Sequence, residues 1–235
     1  MPNQLKNLLV IVCLFISLTF VITSLIQIQL GSTQVDQSLE EWNTQTANLQ
    51  VELLIQDHQE KPTHQRTHKT APNIPTIDED TQNKEQPYQL IYENRPSRGD
   101  IFGKMYIPRL DREIPIISGT DDEELDKGVG HFIGSVLPGE NDNTVFAGHN
   151  NTVFRNFDQI QLGDLIEIET HEGTFIYQLK DERIVHEDDR TVIISYDEPV
   201  ITLITCYPLD FFGFTTERYI LTGKLIESNG QTITN

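Results

Sequence analysis

The sequence predicts an all-β domain with a few short helices, built as a barrel or a sandwich. Short runs rich in β-branched and aromatic residues recur between residues 88 and 228. Glycine, proline, acidic and amide residues separate these runs, as expected of turns between strands. About eight runs in roughly 140 residues suit one all-β domain with a single hydrophobic core.

The chain begins with a segment that has the composition of a membrane anchor. There is no Asp, Glu, Lys or Arg in residues 7–35. At about 1.5 Å per residue, a single-pass helix over residues 8–30 spans a hydrocarbon core of about 30 Å. Lys6 precedes it and acids follow it, so residues 1–7 are predicted in the cytoplasm and the rest outside. An uncleaved anchor is preferred to a signal peptide because no small-x-small cleavage site follows.

Residues 31–87 are predicted to form an extracellular stalk. In its first part, apolar residues alternate at spacings of four and three, which favours a helix. Prolines interrupt the remainder, which is otherwise rich in Thr, Asn, Gln and acidic residues. Such a segment holds a folded domain away from a membrane.

The formal net charge of −19 limits the partners that the protein can have. Residues 1–35 contribute only Lys6, so the negative charge belongs to the predicted extracellular part. Nucleic acid requires a cationic surface, and binding of nucleic acid is therefore not expected.

The first half of the domain, which begins at residue 88, is predicted to hold three strands and three short helices. Alternation that ends at a proline predicts a strand at 100–108, and β-branched runs predict strands at 111–117 and 143–147. An acidic start and closing glycines predict a helix at 121–127. The other short helices are expected at 88–92 and 153–160.

The second half is predicted to hold a hairpin and the last two strands. The hairpin joins 163–169 to 173–179 across a turn with glycine, and 183–185 extend it. Apolar, β-branched runs at 200–205 and 218–226 predict the last strands. The remaining segments are a connection at 188–195 and a C-terminal tail at 229–235.

One cysteine has no partner in the predicted extracellular part, namely Cys206. A structural cysteine in an exported protein usually forms a disulfide. Cys206 ends a strand-like run, Arg218 begins the next run, and His149 follows another. A thiol, an imidazole and a guanidinium at strand edges indicate a cysteine transferase or protease.

Residues 202–206, Thr-Leu-Ile-Thr-Cys, resemble the Thr-Leu-x-Thr-Cys signature of sortases, the transpeptidases of Gram-positive cell surfaces. Gly148-His149 and Arg218 match the other two catalytic positions of that family. The resemblance covers residues 88–228 and extends to the anchor and stalk. It implies a closed β-barrel of about eight strands, preceded by an N-terminal transmembrane helix.

Within the family, the sequence around the cysteine is most similar to class D. The similar residues are Cys206-Tyr207-Pro208 and the segment 217–220, Glu-Arg-Tyr-Ile. The chain has no Asp-Pro-aromatic lid of the class C kind before the core. It also has no large class B insertion before the cysteine strand.

The resemblance implies a role for each of the three residues. Cys206 is the nucleophile, His149 transfers protons to and from the amines, and Arg218 donates to the developing oxyanion. The implied substrate is a Leu-Pro-x-Thr-Gly sorting signal, or a variant with Ala in fifth position, on a surface protein. It is cleaved after Thr and transferred to a peptidoglycan precursor or another cell-wall amine.

Two other functions remain open from the sequence. An exported cysteine peptidase would hydrolyse the same kind of peptide with the same three residues. A membrane-tethered binding module would use the barrel without catalysis. Neither a cofactor nor a metal ion is predicted for any of these functions.

Contacts with the substrate are predicted from position alone. The connection before the cysteine strand is apolar, and the loop after Cys206 is rich in aromatic residues. Both segments border the predicted site, and an apolar pocket suits the Leu-Pro part of the peptide. The predicted substrate-binding residues are Thr205, Ile193, Ile194, Tyr207 and Phe214.

Overall fold

The computed structural model describes residues 3–59, 92–209 and 213–233. An N-terminal α-helix, α1, spans Asn3–Gln59 and includes the residues of the predicted anchor. Among the described residues, no helix combines the length and apolar character that crossing a membrane requires. The proline-containing part of the predicted stalk, residues 60–87, lies outside the described residues.

Nine strands are present in the described part of the domain. They are β1 (Ile101–Ile107), β2 (Arg112–Ser118), β3 (Val129–His131), β4 (Asp142–Ala147), β5 (Leu165–Thr170), β6 (Gly173–His186), β7 (Pro199–Tyr207), β8 (Glu217–Ser228) and β9 (Gln231–Thr232). A short helix, α2, spans Asp122–Lys127, and two 3-10 helices span Pro108–Leu110 and Phe157–Gln159.

The sheet closes on itself as an eight-stranded barrel. The strand order is β6-β5-β1-β2-β3-β4-β7-β8, and β6 pairs again with β8. The short β9 adds to β8 outside this ring. Closure leaves neither β6 nor β8 as an open sheet edge, which removes a template for aggregation. The predicted closed barrel of eight strands with short helices is confirmed.

Three parts of the structure differ from the prediction, and one of them is β9, which lies in the predicted C-terminal tail. The helix predicted at 153–160 is a series of turns that ends in the 3-10 helix Phe157–Gln159. Asn156 adopts a left-handed backbone conformation with φ of 65°, which a right-handed helix does not tolerate. Strand β3 was missed because three residues are too few to show a periodic pattern. The helix predicted at 88–92 lies outside the described residues, except for Tyr92.

Helix α2 connects the barrel to α1. The Asp121 backbone N–H donates to the Glu124 carboxylate at 2.9 Å, which fixes the start of α2. Helix α1 packs against α2, β1 and β2. Trp42 of α1 is 1% exposed, and its ring lies 4.5 Å from the ring of His171 between centroids. The stretch of α1 around Trp42 is therefore docked on the barrel.

Strand β7 separates the barrel core from the face that carries the cysteine. Successive side chains of a strand point to opposite faces. Ile201 and Leu203 belong to the buried core, and Thr205 has the same parity. Ile204 and Cys206 lie on the opposite face and are half-buried. The thiol is thus on the outer surface of the barrel wall, at the end of β7.

Candidate active site

The β7–β8 pair aligns the cysteine with the arginine. These strands are antiparallel, and Cys206 is the direct partner of Arg218. Side chains of directly opposed residues project from the same face of a sheet and lie side by side. Arg218 is also opposite Val185 of β6, so its backbone is held from both sides by the closure of the barrel.

The parallel pairing of β4 with β7 brings His149 to the same end of the barrel. Strand β4 runs parallel to β7, with Ala147 opposite Ile204. The Gly148 N–H then donates to the Ile204 carbonyl at 3.1 Å, which continues the alignment past the end of β4. His149 lies two residues after Ala147, and Cys206 lies two residues after Ile204. Continued in the same register, the parallel pair therefore places His149 opposite Cys206. The sheet therefore brings all three predicted catalytic residues to one end of the barrel.

Two side chains attach the histidine loop to the cysteine strand. The Thr205 hydroxyl donates to the Gly148 carbonyl at 2.7 Å, and both residues are buried. The Asn150 side-chain amide donates to the Pro208 carbonyl at 2.9 Å, and Asn150 is also buried. These bonds fix the position of His149 from the residues immediately before and after it.

A carboxylate lies beside the imidazole of the site, and another lies beside its guanidinium. His149 Nε2 lies 3.7 Å from Oδ1 of Asp126 in α2. Arg218 Nη2 donates to Glu187 Oε2 at 2.7 Å. Asp126 and Glu187 were not predicted, because the sequence contains 36 acidic residues and nothing local distinguishes these two.

The predicted substrate residues lie in three different environments. Thr205 is buried with its hydroxyl engaged by Gly148, so its contact with a peptide stays a prediction. Tyr207 is half-buried, and its ring stacks on that of Tyr219 at 6.5 Å between centroids. Phe214 is 86% exposed in the loop between Cys206 and Arg218. Its neighbours Phe211 and Phe212 lie outside the described residues.

Ile193 and Ile194 belong to the β6–β7 loop, residues 187–198. Both side chains are exposed, whereas the preceding Val192 is buried. The Asn143 side-chain amide donates to the Ile194 carbonyl at 3.2 Å, which attaches this loop to β4. The two isoleucines thus border the strands that lead to the site, and their contact with a peptide stays a prediction.

His131 of β3 is a second histidine of the domain, and it is 2% exposed. Burial lowers the pKa of its imidazole. Nε2 lies 3.0 Å from the Val136 carbonyl, and the ring packs edgewise against Phe102 and Phe146. These contacts explain His131 as a neutral core residue.

Comparison with known proteins identifies the fold family. The model of the sortase domain family matches residues 105–226. Sortase D of Bacillus subtilis (strain 168) is 37% identical over 133 residues, which cover 56% of this chain and 67% of that protein.

Solved structures agree with this assignment. The catalytic domain of B. anthracis SrtD is 37% identical, with a TM-score of 0.51 and coverage of 60% of this chain and 97% of that one. A sortase D5 transpeptidase of Clostridium perfringens is 32% identical, with a TM-score of 0.51 and coverage of 57% and 83%. Because the family match covers more than half of the sequence and the closed barrel agrees with it, the chain belongs to the sortase family of cysteine transpeptidases.

Proposed function

We propose that the protein cleaves a Leu-Pro-x-Thr-Gly-like sorting signal after Thr and joins the Thr carbonyl to an amine of the cell wall. The observation that carries the proposal is the alignment of Cys206 with Arg218 across β7 and β8. A thiolate and a guanidinium side by side suit a carbonyl group, whose carbon is attacked while its oxygen gains negative charge.

In the first half of the proposed reaction, Cys206 Sγ attacks the Thr carbonyl carbon. Arg218 N–H groups donate to the oxygen of the tetrahedral intermediate. The peptide C–N bond then breaks, and His149 gives its proton to the leaving amine. The products are a thioester between Thr and Cys206 and the released C-terminal part of the signal.

In the second half, an amine attacks the thioester carbonyl. His149, now neutral, takes the proton from this amine, and the C–S bond breaks as the new amide bond forms. Cys206 is regenerated. The proposed amine belongs to peptidoglycan or its lipid-linked precursor, and the proposed clients are surface proteins with a C-terminal sorting signal.

We further propose that residues 8–30 anchor the chain in the cell membrane, with the catalytic domain outside. Support comes from the absence of Asp, Glu, Lys and Arg in residues 7–35. Apolar side chains such as Leu14, Phe15 and Phe20 also stand more than half exposed along α1. An exposed apolar helix of this kind is stable in lipid and unfavourable in water.

Product analysis separates transfer from hydrolysis. The full-length chain in detergent would be incubated with internally quenched peptides ending in Leu-Pro-x-Thr-Gly or Leu-Pro-x-Thr-Ala, with and without a glycine oligomer or a diaminopimelate-containing peptide. Mass spectrometry of the products should show an acid without amine and an amide with it. If the peptide is turned over fully but the product stays an acid with every amine tested, the protein is a peptidase and not a transpeptidase.

A further inference from the structure

The Arg218 guanidinium donates hydrogen bonds to three groups of the protein itself. Its Nη1 donates to the Thr215 carbonyl at 2.8 Å and to the Glu217 carbonyl at 3.0 Å. Its Nη2 donates to the Glu187 carboxylate at 2.7 Å. The Glu187 backbone N–H also donates to the Thr216 carbonyl at 2.7 Å, which holds the carboxylate in place.

The hydrogen bonds leave a defined part of the guanidinium for a substrate. A guanidinium has five N–H donors, two on each Nη and one on Nε. Both donors of Nη1 and one of Nη2 are engaged. Among the described residues, the Nε–H and the second Nη2–H have no acceptor. These two donors therefore remain for a substrate carbonyl oxygen, on a residue that lies directly opposite Cys206 across β7 and β8.

We propose that Glu187 is a positioning residue that holds the Arg218 guanidinium with its two remaining donors toward the oxyanion, an inference that rests on the proposed role of Arg218. The carbonyls of Thr215 and Glu217 hold the guanidinium at one corner, Nη1. The carboxylate on Nη2 supplies the second fixed point.

The negative charge of Glu187 opposes this benefit, because it reduces the attraction of Arg218 for an oxyanion. Both side chains are partly exposed, at 25% and 30%, so solvent screens that charge effect. Misplacement of a catalytic group by about 1 Å costs up to about hundredfold in rate. The benefit of holding Arg218 in position therefore exceeds the cost of the nearby negative charge. Removal of Glu187 should slow the reaction.

The test compares kcat and KM of full-length variants on an internally quenched Leu-Pro-x-Thr-Ala peptide. Glu187→Ala should lower kcat about tenfold with KM within about twofold, because the interaction acts on the transition state. Glu187→Gln keeps an acceptor for Nη2 and should recover most of kcat. Asp188→Asn is the matched control, since the adjacent carboxylate is exposed and makes no contact with Arg218. The control should stay within about twofold of the wild-type kcat.

A double-variant cycle decides whether Glu187 acts through Arg218. In an Arg218→Ala background, Glu187→Ala should change the single-turnover acylation rate by less than about twofold. The inference is overturned if Glu187→Ala behaves like the Asp188→Asn control, if it raises kcat, or if its full effect persists without Arg218. Wild-type turnover by Arg218→Ala alone would instead refute the proposed oxyanion role, whatever Glu187 does.

Discussion

At position 218, the number and the direction of the hydrogen-bond donors matter as much as the positive charge. Arg218 donates to the carbonyls of Thr215 and Glu217 and to Glu187, and within the described part of the chain two donors of its rigid plane remain. A lysine ammonium has three donors on a flexible stem and cannot satisfy these acceptors and an oxyanion together. The identity of this side chain should therefore be strict.

We expect Arg218→Lys to lower kcat about hundredfold, within the range found when one oxyanion donor is removed. The melting temperature should stay close to that of wild type, because Arg218 is partly exposed and lies at the end of the barrel. Steady-state kinetics with thermal unfolding measures both. Wild-type kcat in this variant would show that a positive charge alone suffices.

The Thr205 hydroxyl is one of the groups that attach the His149 loop to the cysteine strand. Thr205→Val keeps the shape of the side chain but leaves the buried Gly148 carbonyl without its donor. We expect a loss of about 1–3 kcal/mol in the free energy of unfolding, and a lower kcat because the His149 loop loosens. Thr174→Val, at an exposed position of β6, is the control and should leave both quantities unchanged. Equal behaviour of the two variants would contradict this role for Thr205.

The stretch of helix α1 around Trp42 is docked on the barrel. Trp42 is buried against the barrel beside His171, whereas Leu49 of the same helix is 43% exposed. Trp42→Ala should increase amide hydrogen exchange in residues 33–52 and lower the melting temperature, because a large buried aromatic surface is lost. Leu49→Ala should change neither. If exchange in Trp42→Ala matches wild type, the docked segment is not held by this contact.

Strand β3 places a titratable group in the core, which predicts a dependence of stability on pH. The pKa of buried His131 is lowered, mainly by desolvation, while the unfolded chain has an ordinary histidine pKa of about 6.5. As the pH falls through about 6.5, the unfolded state binds a proton that the folded state does not, so stability decreases down to the folded pKa.

His131→Gln should flatten this part of the stability profile. Denaturant unfolding between about pH 5 and 8 measures the slopes. An unchanged slope in His131→Gln would assign the pH dependence to other groups.

At the scale of elements, the sequence predicts what depends on local patterns and misses what depends on neighbours. The strand around Cys206 and the helix at 121–127 follow from alternation and from acidic capping. Strand β3 and the turns near Asn156 do not, since their form is set by adjacent strands and by one left-handed residue. The inward position of Thr205 follows from the parity of β7, which a motif does not reveal.

In the whole molecule, the closed barrel brings together residues that are far apart in the sequence. His149 and Cys206 are joined by the parallel β4–β7 pair, and Arg218 by the return strand β8. The sequence predicts these three residues as catalytic, and the strand pairings bring them to one end of the barrel. Their carboxylate partners could not be predicted, because Asp126 and Glu187 come from α2 and from the β6–β7 loop, which only the fold brings close.

The proposed mechanism requires Cys206 to carry the acyl group, and mass spectrometry of the digested protein can locate that group. The full-length chain would be mixed with a Leu-Pro-x-Thr-Ala peptide in the absence of added amine, then quenched in acid and digested. We expect a mass increase equal to the peptide fragment that ends in Thr, located on Cys206 and removed by an added amine. Cys206→Ala should keep its fold and show no adduct and no turnover. Turnover by that variant, or an adduct on another residue, would show that Cys206 is not the nucleophile.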